Sequence, residues 1–209
     1  MNRDTRRETI AGPAGALACA IDEPLLAAGQ ALRGVAVLCH PHPLHGGTMD
    51  NKVVQTLARA FVALGYRAVR FNVRGVDGSA GVWDEGRGET DDALAVVAAF
   101  RDPALPLALA GFSFGSFVAA QAAARLAADG APAERLALVG PATSRFAMPV
   151  VAADTIVIHG ETDDVVPLQA TLDWARPQVL PVIVLPGVGH FFHGQLPLLK
   201  NQLLQAWHR

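Results

Sequence analysis

Ser113, Asp163 and His190 are the residues whose types and order along the chain promise chemistry. Ser113 stands in Gly111-Phe112-Ser113-Phe114-Gly115, after the apolar run Leu107–Ala110 and before the alanine-rich stretch Phe117–Ala128. A strand feeding a helix through such a turn is a nucleophile elbow: it holds the serine in a strained conformation with its hydroxyl at the sheet rim. Glycines two residues to either side keep neighbouring backbones from colliding. The G-x-S-x-G pattern is weak alone, and its specificity comes from this placement and from the acid and base candidates farther along the chain.

A serine hydroxyl attacks an acyl carbon only when a base takes its proton and a carboxylate fixes the tautomer of that base. On a sheet with this elbow the order is Ser, then Asp or Glu, then His. The apolar run ending in His159-Gly160 is followed by Glu161, Thr162, Asp163 and Asp164; the run Val182–Leu185 is followed by Pro186 and the small-residue turn Gly187-Val-Gly-His190. We assign Asp163 as the acid and His190 as the base. Asp164, read as capping the following helix or facing water, and Glu161 are weaker candidates for the acid, His193 lies beyond the turn that would aim a ring, and His159 reads as a loop anchor. An oxyanion needs two backbone N–H donors. One is expected from Phe114 at the helix N-terminus. The other should come from His40-Pro-His-Pro-Leu-His-Gly-Gly47, at His42 or alternatively Leu44, because Pro41 and Pro43 have no N–H.

These groups need a scaffold of short apolar strands alternating with helices. Strands are predicted over Thr9–Ala20, Arg33–Cys39, Arg67–Val73, Leu105–Phe112, Leu136–Val139, Thr155–Ile158 and Val182–Leu185. Helical spacing is predicted over Asn51–Leu64, Thr90–Phe100, Ser113–Ala128, Pro167–Trp174 and Gln195–Trp207. Such alternation implies βαβ crossovers and a mostly parallel sheet covered on both faces. Each candidate side chain then hangs from a loop at a strand's C-terminal end, where open α/β sheets place their sites.

The 209 residues suit one domain spanning 1–209, with 51% hydrophobic and 17% charged residues. A formal net charge of -2 gives no case for nucleic acid or an anionic membrane. Arg3, Arg6 and Arg7 alternate with Asp4 and Glu8, which reads as a solvated start. The opening residues show no secretory pattern, and no apolar run approaches a membrane span. Cys19 and Cys39 are too few for a disulfide framework, which fits a cytoplasmic protein. The partner expected is a small acyl substrate, with the chain a monomer or small homo-oligomer.

Other features have plainer readings. His40, His42 and His45 form H-x-H-x-x-H, but Leu44 stands where a metallohydrolase needs its aspartate, so no metal is expected. No phosphate-cradling glycine motif is present, so no cofactor is expected. Cys39 ends a central apolar strand, where burial makes a thiol inert. Asp84, Glu85 and Glu89 are read as solvated in a glycine-rich loop. Arg74 and Ser79 are read as turn chemistry.

The segments HPHPLHGGTMDNKVV, RFNVRGVDGSAG, GFSFG, HGETDDVVP and GVGHFFHG together resemble a family of small, lid-less bacterial α/β-hydrolases, distantly related to dienelactone hydrolases and carboxylesterases. The resemblance runs from Val35 to the C-terminal helix. It implies an α/β-hydrolase fold without a cap domain and the triad Ser113, Asp163 and His190. Asp77 and His45 depart from the family pattern, in loops expected to border the substrate cleft. Only Gly140–Ala153 stands where many relatives insert a helical cap, so an open cleft is expected. Leu44, Trp83, Phe146 and Phe191 are the expected substrate contacts, and small acyl or aryl esters the expected substrates. A thioesterase or acyltransferase with the same triad, or a binding protein retaining the fold, are the alternatives.

Overall fold

The computed structural model describes residues 5–27 and 29–208; Arg3 and Asp4 lie outside them. Among the described residues, eight strands form one sheet: β1 (Arg6–Gly12), β2 (Gly15–Asp22), β3 (Gly34–Cys39), β4 (Tyr66–Phe71), β5 (Leu107–Phe112), β6 (Arg135–Val139), β7 (Ile156–Gly160) and β8 (Val182–Leu185). Their order is β1-β2-β4-β3-β5-β6-β7-β8. The first two pairings are antiparallel, and all pairings from β4–β3 through β7–β8 are parallel.

Among the described residues, five α-helices cover the sheet: α1 (Lys52–Ala63), α2 (Arg87–Phe100), α3 (Phe114–Ala128), α4 (Leu168–Ala175) and α5 (Leu196–Trp207). A strand alternates its side chains between faces, and β3 shows the consequence. Ala36 and Leu38 join the core under α1 and α5, while Val35, Val37 and Cys39 join the core under α2 and α3. That two-sided burial is why β3 and β5 are uninterrupted apolar runs. At the start of α1, the Asn51 side chain accepts hydrogen bonds from the Val53 and Val54 amides, satisfying two N–H groups the helix leaves open.

The stretch Thr9–Ala20, expected as one strand, is a hairpin in which Gly12 pairs with Gly15 across a two-residue turn. Pro13 removes an N–H from the ladder and ends β1; the small residues around it mask the alternation that would have marked two strands. Arg6 and Arg7 lie on exposed positions of β1 itself, with Arg7 paired to Asp50 at 2.7 Å. Glu89, expected in water, is fully buried in the first turn of α2. Its carboxylate accepts the amides of Asp84 (2.9 Å) and Gly86 (2.7 Å), which starts the helix three residues earlier than periodicity indicates.

His40 follows β3 and is fully buried; its Nδ1 lies 2.6 Å from the Pro41 carbonyl, and its Nε2 accepts the Val73 amide at 3.1 Å. These contacts hold the ring neutral with the proton on Nδ1. Burial is the chief cause that pushes its pKa down from 6.5 to about 4. The unfolded chain therefore binds this proton at a higher pH than the native chain. The His40 contribution to stability should be constant above pH 6.5 and should fall as pH drops from 6.5 toward 4. The full loss is about 3 kcal/mol at most for a shift of that size. In denaturant titrations across that range, His40→Asn should be less stable than the native protein at neutral pH but lose less on acidification. Equal slopes would mean that His40 is not the group responsible.

Candidate active site

β5 ends at Phe112 and α3 begins at Phe114, leaving Ser113 as the corner with φ 55° and ψ −120°. A non-glycine residue held there stores about 1–3 kcal/mol of strain. The corner is fixed from both sides. The Ser113 amide donates to the Val139 carbonyl of β6 (2.9 Å), and the Ser113 carbonyl accepts the Ser116 amide (2.9 Å). The Ser116 hydroxyl lies 2.8 Å from the Gly111 carbonyl oxygen and 3.1 Å from that of Val139. A Cβ on Gly111 would sit 2.0 Å from the Gly115 carbonyl oxygen, and one on Gly115 would sit 2.1 Å from that of Cys39. Neither position has room for a side chain.

The loops after β7 and β8 are laced together. The Glu161 amide donates to the Leu185 carbonyl (3.0 Å), the Thr162 amide to the Val188 carbonyl (3.0 Å), and the Gly187 amide to the Glu161 carboxylate (2.8 Å). This lacing brings Asp163 and His190 together beside the elbow. His190 Nε2 lies 3.0 Å from Ser113 Oγ, and His190 Nδ1 lies 2.7 Å from Asp163 Oδ2. The Phe112 ring packs beside the imidazole, with centroids 4.9 Å apart. The other Asp163 oxygen accepts the amides of Val165 (3.0 Å) and Val166 (2.7 Å). Burial alone would push the Asp163 carboxyl up; the hydrogen bonds from His190 and the Val166 amide outweigh it and hold the pKa below its ordinary value. A charged carboxylate keeps the His190 proton on Nδ1 and the Nε2 lone pair toward Ser113.

His159 anchors the acid loop from behind. Its Nε2 donates to the Val166 carbonyl at 2.9 Å and lies 3.4 Å from Asp163 Oδ2; its Nδ1 accepts the Thr171 hydroxyl at 3.2 Å. Burial, the largest influence, keeps this ring below the ordinary histidine value and so neutral. Asp163 thus has an imidazole on either side, but only His190 reaches the serine. His193 packs against Phe191, with ring centroids 5.8 Å apart. Asp164 is exposed.

Ser113 and His190 open on a cavity of about 190 Å³. Of the four residues singled out from the sequence, Phe146 and Phe191 line it, and Leu44 and Trp83 do not. Leu44 lies in the 3-10 turn Pro43–His45, where the His45 and Gly47 amides both fold back to the His42 carbonyl and leave its side chain 67% exposed. Trp83 sits behind His42 and Phe114, with ring centroids 4.5 Å and 5.0 Å away, bracing the wall from outside. Asp77 also lies elsewhere, in a separate groove with Asn72 and Asp50, while His45 does line the cavity. Phe112 and Phe192 are fully buried in the core. Arg145 and Asn51 line the cavity without any signal in the sequence that would have found them.

Among the described residues, neither the His42 amide nor the Phe114 amide donates to another backbone or side-chain group. Phe114 opens α3, whose first N–H groups have no partner within the helix. Of the three histidines after β3, His40 faces inward, and the His42 and His45 rings pack with centroids 4.6 Å apart. No group of three His, Cys, Asp or Glu converges on a metal-holding point among the described residues.

A mostly parallel sheet with a strained serine corner, an imidazole against its hydroxyl and a carboxylate behind that imidazole defines an α/β serine hydrolase. Residues 33–153 match the family model described as serine aminopeptidase, S33. An α/β serine hydrolase without lid from Xanthomonas campestris is 39% identical over 100% of this chain and 96% of its own, with a TM-score of 0.88. An α/β serine hydrolase homologue from Coxiella burnetii is 36% identical over 96% of each chain, with a TM-score of 0.84. An uncharacterized protein of Rickettsia prowazekii (strain Madrid E) is 42% identical over 90 residues, which span 42% of this chain and 38% of that protein. The chain belongs to this family of small, lid-less bacterial α/β serine hydrolases. Residues 140–155, between β6 and β7, hold turns but no helix where a lid would be inserted.

The elbow's close contacts set a stability test. Gly115→Ala should destabilise the protein by about 3 kcal/mol, because its methyl meets rigid backbone rather than a side chain that can swing aside. Denaturant midpoints measure the loss; a cost under about 1 kcal/mol would show that the strand and helix separate more easily than the contact implies.

Proposed function

We propose that this protein is a carboxylesterase-like enzyme that hydrolyses small acyl or aryl esters through an acyl-enzyme. The observation that carries the reading is the continuous hydrogen-bonded chain Ser113–His190–Asp163, ending at the cavity. Ser113 Oγ attacks the ester carbonyl carbon while His190 Nε2 takes its proton. The tetrahedral oxyanion accepts hydrogen bonds from the amides of Phe114 and His42. Collapse expels the alcohol, which leaves with the proton from His190. Water then attacks the acyl-serine with the same base, releasing the acid and restoring the hydroxyl. Asp163 keeps its charge throughout and stabilises the imidazolium.

The cavity is smaller than the roughly 300–1,000 Å³ typical of sites for drug-sized ligands, which supports a short acyl or aryl group. Phe146 and Phe191 supply the apolar wall such a group needs. Cys19 and Cys39 are free and buried; burial pushes the Cys19 thiol up to about 12 and raises Cys39 as well, so neither competes as a nucleophile. Unpaired thiols fit a cytoplasmic enzyme, and its proposed partner is a small acyl substrate, with the chain a monomer or small homo-oligomer. No helix among the described residues is long and apolar enough to cross a membrane.

A fluorophosphonate probe should form an adduct on Ser113 in the native protein and none in Ser113→Ala. On esters of graded chain length, Ser113→Ala and His190→Ala should each lower kcat roughly 10⁴-fold or more, and the double variant should be no worse, because the residues act as a unit. Losses that multiply, or a native protein that takes no adduct, would overturn the assignment. A parallel series of thioesters tests whether the acyl-enzyme forms faster from sulfur leaving groups.

A further inference from the structure

Arg145 stands out among the arginines of the described residues. It lies in the turn after β6, is exposed, and lines the same cavity as Ser113 and His190. Every other arginine among the described residues meets a carboxylate, a carbonyl or hydroxyl oxygen, or an aromatic ring. Arg145 meets none. A guanidinium without a partner, at the mouth of a cavity whose floor is a nucleophile, has five donors free for a ligand.

The cavity lining carries one sign of charge. Its ionisable side chains besides Ser113 are His42, His45, His190 and Arg145; no carboxylate is among them. Yet the whole chain has more Asp and Glu than Lys and Arg, with a formal net charge of -2. The nearest acid of the mechanism, Asp163, is buried with both oxygens already bonded. His42 records the resulting field: burial first, then the charges of His45 and Arg145, lower its pKa, and its buried Nδ1 has no hydrogen-bond partner. A cavity lined this way repels cationic esters and attracts anionic ones.

We propose that Arg145 determines substrate choice, and that the preferred esters carry a carboxylate on the far side from the scissile bond. This rests on the hydrolase reading above and narrows it. The planar guanidinium can take a carboxylate through two parallel N–H···O bonds, fixing orientation as well as charge. Phe146 follows Arg145 directly and lines the same cavity, so the linking carbons can lie against an aromatic wall while the acid reaches the guanidinium. The chemistry is that of a half-ester of a short dicarboxylic acid.

The test compares kcat/KM for monoethyl succinate, glutarate and adipate with that for the neutral ethyl esters of the matching monoamides. At least one carboxylate ester should be preferred over its amide, and the length at which preference peaks measures the span from Ser113 to Arg145. The carboxylate-to-amide ratio should fall about tenfold in Arg145→Ala, as expected for losing a hydrogen bond to a charged group. It should fall further in Arg145→Glu, and partly recover in Arg145→Lys. Raising the salt concentration should shrink the native preference and leave the Arg145→Ala ratio nearly flat. Turnover of neutral esters with no carboxylate preference at any length, or a ratio unchanged in Arg145→Glu, would overturn the proposal and spare the hydrolase reading. Absence of turnover together with no fluorophosphonate adduct on Ser113 would overturn both.

Discussion

The site rests on a close approach of three backbones. The Gly115 backbone passes so near the Cys39 carbonyl that a methyl group would not fit, and the Ser113 amide is tied to Val139 on the other side. Between β3 and β6 the chain must therefore turn from strand to helix within one residue. Ser113 takes the strain of that turn, and its hydroxyl stands at the sheet rim instead of packing into α3. The same turn opens α3 at Phe114, whose amide has no partner among the described residues, so the proposed oxyanion donor directly follows the nucleophile in the chain. Parallel pairing on both flanks keeps the corner from relaxing.

The acid and base depend on a looser arrangement. They arrive on separate loops that share a short lacing of backbone hydrogen bonds, from Glu161 and Thr162 to Leu185 and Val188. Asp163 is the better fixed of the two, with the Val165 and Val166 amides and the His190 and His159 imidazoles around its oxygens. His190 is held by Asp163 at one nitrogen and by the Phe112 face. The rigidity thus runs from Asp163 to His190 to Ser113, and Asp163, the most tightly held, is the one that does not line the cavity.

Much of this was legible in the sequence, and the exceptions share a cause. Ser113, Asp163 and His190 could be placed because a strand-end motif and a fixed chain order constrain them, and short apolar runs marked the parallel strands. The hairpin at Pro13 was hidden because alanines and glycines carry little contrast between faces. Glu89 was misplaced because charge argues for water unless nearby amides are known to converge on it, and their convergence is a property of the folded loop. Leu44 and Trp83 were close in sequence or space to the cavity but turned out by the fold of the 3-10 turn and the stacking of His42. His159 was read as a loop anchor, but its 3.4 Å approach to Asp163 depends on where the loop returns.

Arg145 is the extreme case, since no pattern of residue types distinguishes it from any other surface arginine. Its meaning lies in what it lacks. Arg70, almost completely buried, is surrounded by Asp22, Asp50 and the Met49 carbonyl, and Arg74 is gripped by Asp92; both are neutralised by the fold they stabilise. Desolvating a cation without such partners is costly, so arginines buried like Arg70 and Arg74 come with their carboxylates. An arginine left exposed at a cavity mouth incurs no such cost, and its field reaches along an apolar wall with less screening than over open water. The contrast between Arg70 and Arg74, neutralised within the scaffold, and Arg145, left without a partner at the cavity, separates charge that holds the fold from charge free to meet a ligand.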